Sequence, residues 1–152
     1  MSMFRKANSA DLPEIIALLA DDPLGAAREA AFGAVDQSYR EAFAAIEADR
    51  NQLLVVAVDD DEKVIGCLQL SFIPGLSRKG MWRGQIESVR IAADHRGNGL
   101  GAAMIEWAVE QVRKRGCGLL QLTSDKRRPD AIRFYEKLGF VASHEGLKLD
   151  LS

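Results

Sequence analysis

Arg96-Gly97-Asn98-Gly99-Leu100-Gly101 is the stretch of the 152-residue chain whose types and spacing best suit the binding of an anion. It lies between the apolar end of a strand at Ile91 and the start of a helical pattern at Gly99. Glycines lack a Cβ, so the backbone can turn tightly and bring several N–H groups to one point, and a helix N-terminus adds its partial positive charge. A diphosphate is the natural occupant. Two other readings share the motif. One is a glycine-rich strand-to-helix turn that binds nothing. The other is a dinucleotide fingerprint, because Gly97 to Ala102 also satisfies G-x-G-x-x-G/A and Asp125 follows the next strand. The motif by itself does not separate them. A second feature is the polar pair Glu87-Ser88 within Ile86 to Ile91, where a sheet core is expected.

The elements around these residues follow from periodicity. Phe4 to Lys6 reads as a short strand, and Leu12, Ile15, Ile16 and Leu19 recur at helical spacing behind Asp11-Leu12-Pro13-Glu14, with Asp21-Asp22-Pro23 as a stop. A second helix is expected through Phe32, Val35, Tyr39, Phe43 and Ile46. Leu53 to Val58 and Val64 to Phe72 are strand-like runs joined by a polar hairpin at 59–63, and a further strand runs from Trp82 to Ile91 after a loop through Gly80. Gly99 to Arg115 reads as a helix stopped by Gly116, Leu119 to Thr123 as a strand, and Pro129 to Leu138 as a short helix closed by Gly139. Phe140 to Leu151 is expected to give two terminal strands. The order implies one domain over 1–152 of α/β (α+β) class, with a mixed, largely antiparallel sheet of about seven strands and helices on both faces. A dinucleotide fold needs several more βα units after its fingerprint than remain here, which sets that reading aside.

The run from Val89 to Gly101, leading into a helix, resembles the acetyl-CoA motif R/Q-x-x-G-x-G/A of the GNAT acetyltransferases, matched at Arg96, Gly99 and Gly101. Ala131 to Phe140 resembles the second signature of that family, a helix carrying a tyrosine followed by L-G-F. The resemblance is specific from Ile86 to Phe140 and only architectural before Leu53. One departure stands out: many members have an asparagine near the start of the last helix that contacts pantetheine, and here that neighbourhood reads Lys126-Arg127-Arg128-Pro129-Asp130.

The resemblance implies acetyl-CoA as co-substrate and acetyl transfer to a primary amine. Arg96, Gly97, Asn98, Gly99, Leu100, Gly101 and Ala102 would hold the pyrophosphate, while the backbone at Val89 and Ile91 would pair with pantetheine. Tyr135 would give its proton to the departing thiolate and contact the coenzyme. An alkylamine is mostly protonated at neutral pH, so a base is needed, and Glu87 is the candidate, its pKa raised by burial in the sheet; the other reading is a carboxylate that simply faces solvent on a half-exposed strand. The oxyanion would meet a backbone N–H near Val89, where family members bulge the strand.

Arg78, Lys79 and Arg83 are the candidate acceptor-binding residues, with Lys126, Arg127 and Arg128 a second basic cluster. They suit a small-molecule amine bearing a phosphonate, phosphate or carboxylate. Thr123 to Tyr135 with Ser143-His144 is similar to the aminoalkylphosphonate acetyltransferases. A protein lysine or N-terminal acetyltransferase and a non-catalytic acyl-CoA-binding module are the competing readings.

Composition narrows the partners. A net charge of −2 provides no overall positive field for nucleic acid or an anionic membrane, and no stretch approaches the ~18 uninterrupted apolar residues of a membrane span. Cys67 and Cys117 lack a CxxC spacing, and His95 and His144 stand far apart, so structural thiols in a cytoplasmic protein without a bound metal are expected. Both histidines read as solvated loop residues. The assembly stays open, a homodimer being the commonest arrangement.

Overall fold

The computed structural model describes residues 3–29 and 33–152, so Phe32 of the expected second helix lies outside the described residues. The chain forms two compact units, Met1–Gln121 and Leu122–Ser152. Five strands, β1 (Met3–Lys6), β2 (Gln52–Val58), β3 (Val64–Ile73), β4 (Arg83–Ile91) and β5 (Leu119–Leu122), make one sheet in the order β1-β2-β3-β4-β5. The first four pair antiparallel with one another. The Asp59 carboxylate accepts from the N–H groups of Asp61 and Lys63, each at 2.9 Å, which closes the expected β2–β3 hairpin.

The helices fall on opposite faces of this sheet because each strand alternates its side chains. On one face α1 (Leu12–Ala20) and α3 (Gln37–Ala48) bury Ile15, Ile16 and Phe43 against Leu54, Val56 and Cys67. On the other, α5 (Leu100–Lys114) approaches closely at Gly84, where a Cβ would stand 2.7 and 2.8 Å from the Val112 methyl groups. Met104, Ile105 and Ala108 of α5 are buried, as are Leu68 and Leu70 of β3.

Three expectations need correction. Asp21-Asp22-Pro23 does end α1, but it also starts a helix that the sequence reading missed. The Asp22 side chain caps the Gly25 N–H and Pro23 supplies the first position of α2 (Pro23–Arg28). The second expected helix begins only at Gln37, where Asp36 accepts from Ser38 N–H at 2.9 Å. The sheet has five strands among the described residues, not about seven. Residues 140–152 form no ladder, and Val141 to Ser152 are all exposed. Their alternation favours a strand, yet a strand exists only when a neighbouring backbone takes up its N–H and C=O groups.

Two further elements complete the chain, a one-turn α4 (Ser77–Gly80) and α6 (Pro129–Lys137). No helix among the described residues is long and apolar enough to cross a membrane.

The N-terminal strand is tied to α1 through a charged contact. Arg5 Nη1 and Nη2 donate to Asp11 Oδ2 and Oδ1 at 2.8 and 3.0 Å, and the Asn8 N–H donates to Oδ2 at 2.8 Å. The Arg5 hydrogen bonds, helped by the Asn8 N–H, hold the Asp11 carboxyl below its ordinary value against the opposing effect of burial. A carboxyl with a depressed native pKa stabilises the fold fully above its unfolded value of about 3.9. It loses that contribution as pH falls through the lower native value. Asp11→Asn should therefore cost about 1.5–3 kcal/mol at neutral pH and flatten the acid side of the stability profile, read by urea unfolding at a series of pH values. An unchanged profile would remove this contact from the stability of the N-terminal unit.

Candidate active site

The site is built around β4, which changes character halfway along. β5 is four residues long against nine in β4, and it lies beside the first half. The Gly118 N–H donates to the Trp82 carbonyl at 2.8 Å, and Gln121 Nε2 donates to Gln85 Oε1 at 2.9 Å. The register with β3 slips between Cys67 and Gln69, opposite Ser88, which takes a left-handed φ of 57°. This is the bulge expected near Val89, and Cys67 Sγ lies 3.6 Å from the Ser88 carbonyl.

Beyond the bulge the outer edge of β4 opens. The Ala92 N–H donates to Ile65 of β3 at 2.8 Å, so alternation turns the backbone of Val89 and Ile91 toward the opposite edge. Two guanidinium groups occupy carbonyls there: Arg90 Nη1 donates to Val89 O at 2.9 Å and Arg96 Nε to Ile91 O at 3.1 Å. Arg96 also reaches Asp21, with Nη2 3.3 Å from its carbonyl and 3.4 Å from Oδ2. In this structure Arg96 thus clamps the end of α1 to the end of β4 while remaining half exposed at 52%.

The glycine turn follows. Gly97 and Gly99 have φ of 81° and 82°, a region that L side chains enter at a cost, and a Cβ at either would meet nothing within 4 Å. Gly99 is the N-cap of α5, and no side chain caps the helix. The first N–H groups of α5 therefore point outward with the helix dipole behind them, a donor set suited to a phosphate. Asn98, Gly99 and Leu100 line a cavity of ≈ 320 Å³ together with His95, Ala103 and Phe4. His95, expected in a solvated loop, is half-buried here, with Nδ1 3.0 Å from Asp94 Oδ1.

Glu87 sits just before the bulge, and here the structure corrects an expectation: the side chain is exposed, so the burial expected to tune it is absent. Gln85 Nε2 donates to its Oε1 at 2.5 Å. This contact belongs to a polar stripe that sequence reading missed. Gln69 and Ser71 of β3 stand opposite Glu87 and Gln85, and both donate to Gln52 Oε1, at 2.9 and 3.0 Å. The signal was present as polar residues at alternate positions in two strands, interleaved with Leu70, Phe72 and Ile86. Beside the stripe, between α1, α3 and the sheet, lies a cavity of ≈ 150 Å³ whose wall is apolar except near Gln69, Ser88 and Tyr39. Cys67 also lines it. Burial pushes its thiol up to about 12, which leaves it inert as a nucleophile.

The basic candidates are dispersed. Arg83 shares the face of Gln85 and Glu87 but lies four positions, roughly 13 Å, before Glu87 along the strand. Arg78 and Lys79 are exposed in α4 with left-handed φ of 54° and 60°. In the second unit, Arg127 donates to Asp125 at 2.7 and 3.0 Å, and the Arg127 hydrogen bonds hold that carboxyl well below its usual range. Lys126 lies 3.5 Å from Glu145, so two members of the 126–128 cluster already face carboxylates. Tyr135 of α6 packs edge-on against Phe134 and Phe140, at centroid distances of 5.0 and 5.6 Å. The Leu138-Gly139-Phe140 turn produces this, since the Phe140 N–H returns to the Tyr135 carbonyl at 3.1 Å. Among the described residues no group of three or more His, Cys, Asp or Glu gathers to hold a metal.

Comparison with known proteins gives an independent view. Residues 13–140 match the model of the acetyltransferase (GNAT) family. The chain is 32% identical over 108 residues to the aminoalkylphosphonate N-acetyltransferase of Salmonella typhimurium, covering 71% of this chain and 69% of that one. It is 37% identical over 89 residues to the glucosamine 6-phosphate N-acetyltransferase of Trypanosoma brucei brucei, 59% of this chain and 58% of that protein's length. Among solved structures, one described as a transcriptional regulator from Bacillus halodurans C-125 is 47% identical with a TM-score of 0.95 over 99% of both chains.

The turn yields a direct test. Gly99→Ala places a Cβ in open space but in a left-handed backbone that disfavours it by about 1–2 kcal/mol. Its dissociation constant for coenzyme A should rise about tenfold in low-salt calorimetry. Equal affinity for wild type and variant would take the turn out of coenzyme binding.

Proposed function

The chain belongs to the GNAT acetyltransferase family and is an N-acetyltransferase of that type, and on this premise we propose that it moves the acetyl group of acetyl-CoA directly onto the primary amine of a small, anionic acceptor. The observation that carries this reading is the uncapped N-terminus of α5 behind two left-handed glycines, beside a β4 edge opened by the Ser88 bulge. The family match crosses from the first unit into the second, which supports 1–152 as a single catalytic domain.

Bound acetyl-CoA supplies a thioester carbonyl, and the residues of the chain account for the rest. The N–H groups of Gly97 to Ala102 and the α5 dipole receive the pyrophosphate, with Arg96 fixing the turn against Ile91. The outward backbone of Val89 and Ile91 receives the pantetheine arm as an added strand. The amine attacks the thioester carbon, forming the C–N bond. Its proton passes to Glu87 through water, an assignment consistent with an exposed carboxylate, and a backbone N–H beside the bulge receives the oxyanion. As the C–S bond breaks, Tyr135 delivers a proton to the thiolate. That role rests on the likeness of its helix to the family signature, and its ring is held by Phe134 and Phe140.

For the acceptor, Arg83 on the Glu87 face supplies a cation, with Arg78 and Lys79 in the preceding turn, and the amides of Gln69 and Gln85 supply neutral hydrogen bonds. The two curated relatives carry names that specify phosphonate- and phosphate-bearing amines, which supports the same class.

Thiol release from acetyl-CoA with a panel of amines tests the reading, phosphonate- and phosphate-bearing amines being expected to turn over fastest. No turnover with any small amine, alongside acetylation of a peptide, would transfer the assignment to protein modification. Tyr135→Phe should lower kcat about 10²-fold or more with little change in acetyl-CoA affinity. Glu87→Gln should lower kcat/KM for the amine by a comparable factor. An unaltered kcat in either variant would strike that residue from the mechanism.

A further inference from the structure

Resting on the acetyl transfer proposed above, we infer that the acceptor amine carries a hydrocarbon substituent of about phenyl size, and that this group seats in the cavity between α1, α3 and the sheet. Ile15 and Ile16 of α1, Phe43 of α3, Leu54 of β2 and Cys67 of β3 are buried along its inner wall. Its volume is ≈ 150 Å³. Folded interiors close-pack so that few voids exceed a water molecule, and a dry cavity of this kind, lined by aliphatic and aromatic groups, accepts a benzene-sized guest.

The cavity opens beside the reactive edge. Tyr39 and Gln69 at its rim are half-buried, while Ala42 and Ser88 are exposed, so the lining passes from interior to solvent at that end. Ser88 follows Glu87 in β4, and Gln69 is the cross-strand neighbour of Glu87. Residues paired in this way hold their Cβ atoms about 5 Å apart. An amine within reach of Glu87 therefore stands at the mouth, and a substituent on the carbon next to its nitrogen can pass inside.

The lining also selects what enters. Among the described residues no lysine, arginine or carboxylate lines the cavity. A charged group inside would lose its hydration without gaining a partner, so the anionic end of the acceptor stays outside and the neutral hydrocarbon goes in. The rim is already held in shape: Tyr39 Oη donates to Glu29 Oε1 at 2.8 Å, and Gln69 Nε2 to Gln52 Oε1 at 2.9 Å. Size is limited at Ala42, where α3 presents a methyl group close to the larger Tyr39 and Phe43. A longer side chain there would narrow the mouth.

The test is kcat/KM, read by thiol release from acetyl-CoA, for 1-aminoalkylphosphonates bearing hydrogen, methyl, isobutyl, benzyl or indol-3-ylmethyl at the amine-bearing carbon. The value should climb at least about tenfold from methyl to benzyl and drop for indol-3-ylmethyl, which is too large for the space. Ala42→Leu, at an exposed helical position that leucine suits, should move the optimum down to methyl. A series that is flat, that falls steadily from hydrogen upward or that keeps climbing to indol-3-ylmethyl overturns the inference and leaves acetyl transfer in place. So does an Ala42→Leu variant that keeps the wild-type order. If no member of the series is acetylated, the small-amine reading itself fails and takes this inference with it.

Discussion

β4 cannot satisfy both of its edges along its whole length, and the arrangement of the site follows from that constraint. β3 pairs with it throughout, apart from the slip opposite Ser88, whereas β5 accompanies only its first half. The left-handed residue at Ser88 takes up the extra length, and from Val89 onward the outer edge has no strand beside it among the described residues. A sheet edge that is open in the interior of the order β1-β2-β3-β4-β5 is an unusual expense in hydrogen bonding. In the proposed function an extended ligand completes the pairing. The glycine turn lies immediately beyond that edge, so one continuous path of main-chain donors leads from the bulge to the N-terminus of α5.

Charge is used sparingly around this path. Arg96 and Arg90 bond to carbonyls of β4 and thereby hold the strand end in shape. In the proposed function phosphate recognition falls to N–H groups and the helix dipole, whose positions are set by the backbone and do not vary with rotamer. On the neighbouring face the side chains of Gln52, Gln69, Ser71, Gln85 and Glu87 are interlinked in short hydrogen-bonded sets instead of projecting freely. Such a surface is preorganised: its groups are already oriented, which reduces the ordering cost of any binding there. The cavity next to it is apolar except near Gln69, Ser88 and Tyr39, and it includes the inert thiol of Cys67.

Much of this was legible before any coordinates. The glycine turn was visible because glycine is the residue that enters left-handed backbone without strain, and both Gly97 and Gly99 do so. The α5 stripe of Leu100, Met104, Ala108 and Val112 announced its buried face through period alone. Other features were concealed for identifiable reasons. The helix α2 was missed because Asp22-Pro23 signals a stop and a start equally well, and only the path of the chain selects between them. Burial was expected for Glu87 from the apolar residues around it, but a strand alternates, and the face on which Glu87 falls is the polar one.

Local chemistry therefore determined the elements that depend on a few adjacent residues: the capped starts of helices, the β2–β3 hairpin, the glycine turn before α5 and the family signature around Tyr135. Tertiary structure decided whatever depends on a partner distant in sequence. It placed Gln69 and Ser71 opposite Glu87 and Gln85, drew Arg96 to Asp21, separated Arg83 from the bulge, and left the leucines at 147–151 in water. The physical reason is that a turn or a cap is satisfied by its own neighbours, whereas a strand acquires its hydrogen bonds and its exposure only from the segment that comes to lie beside it.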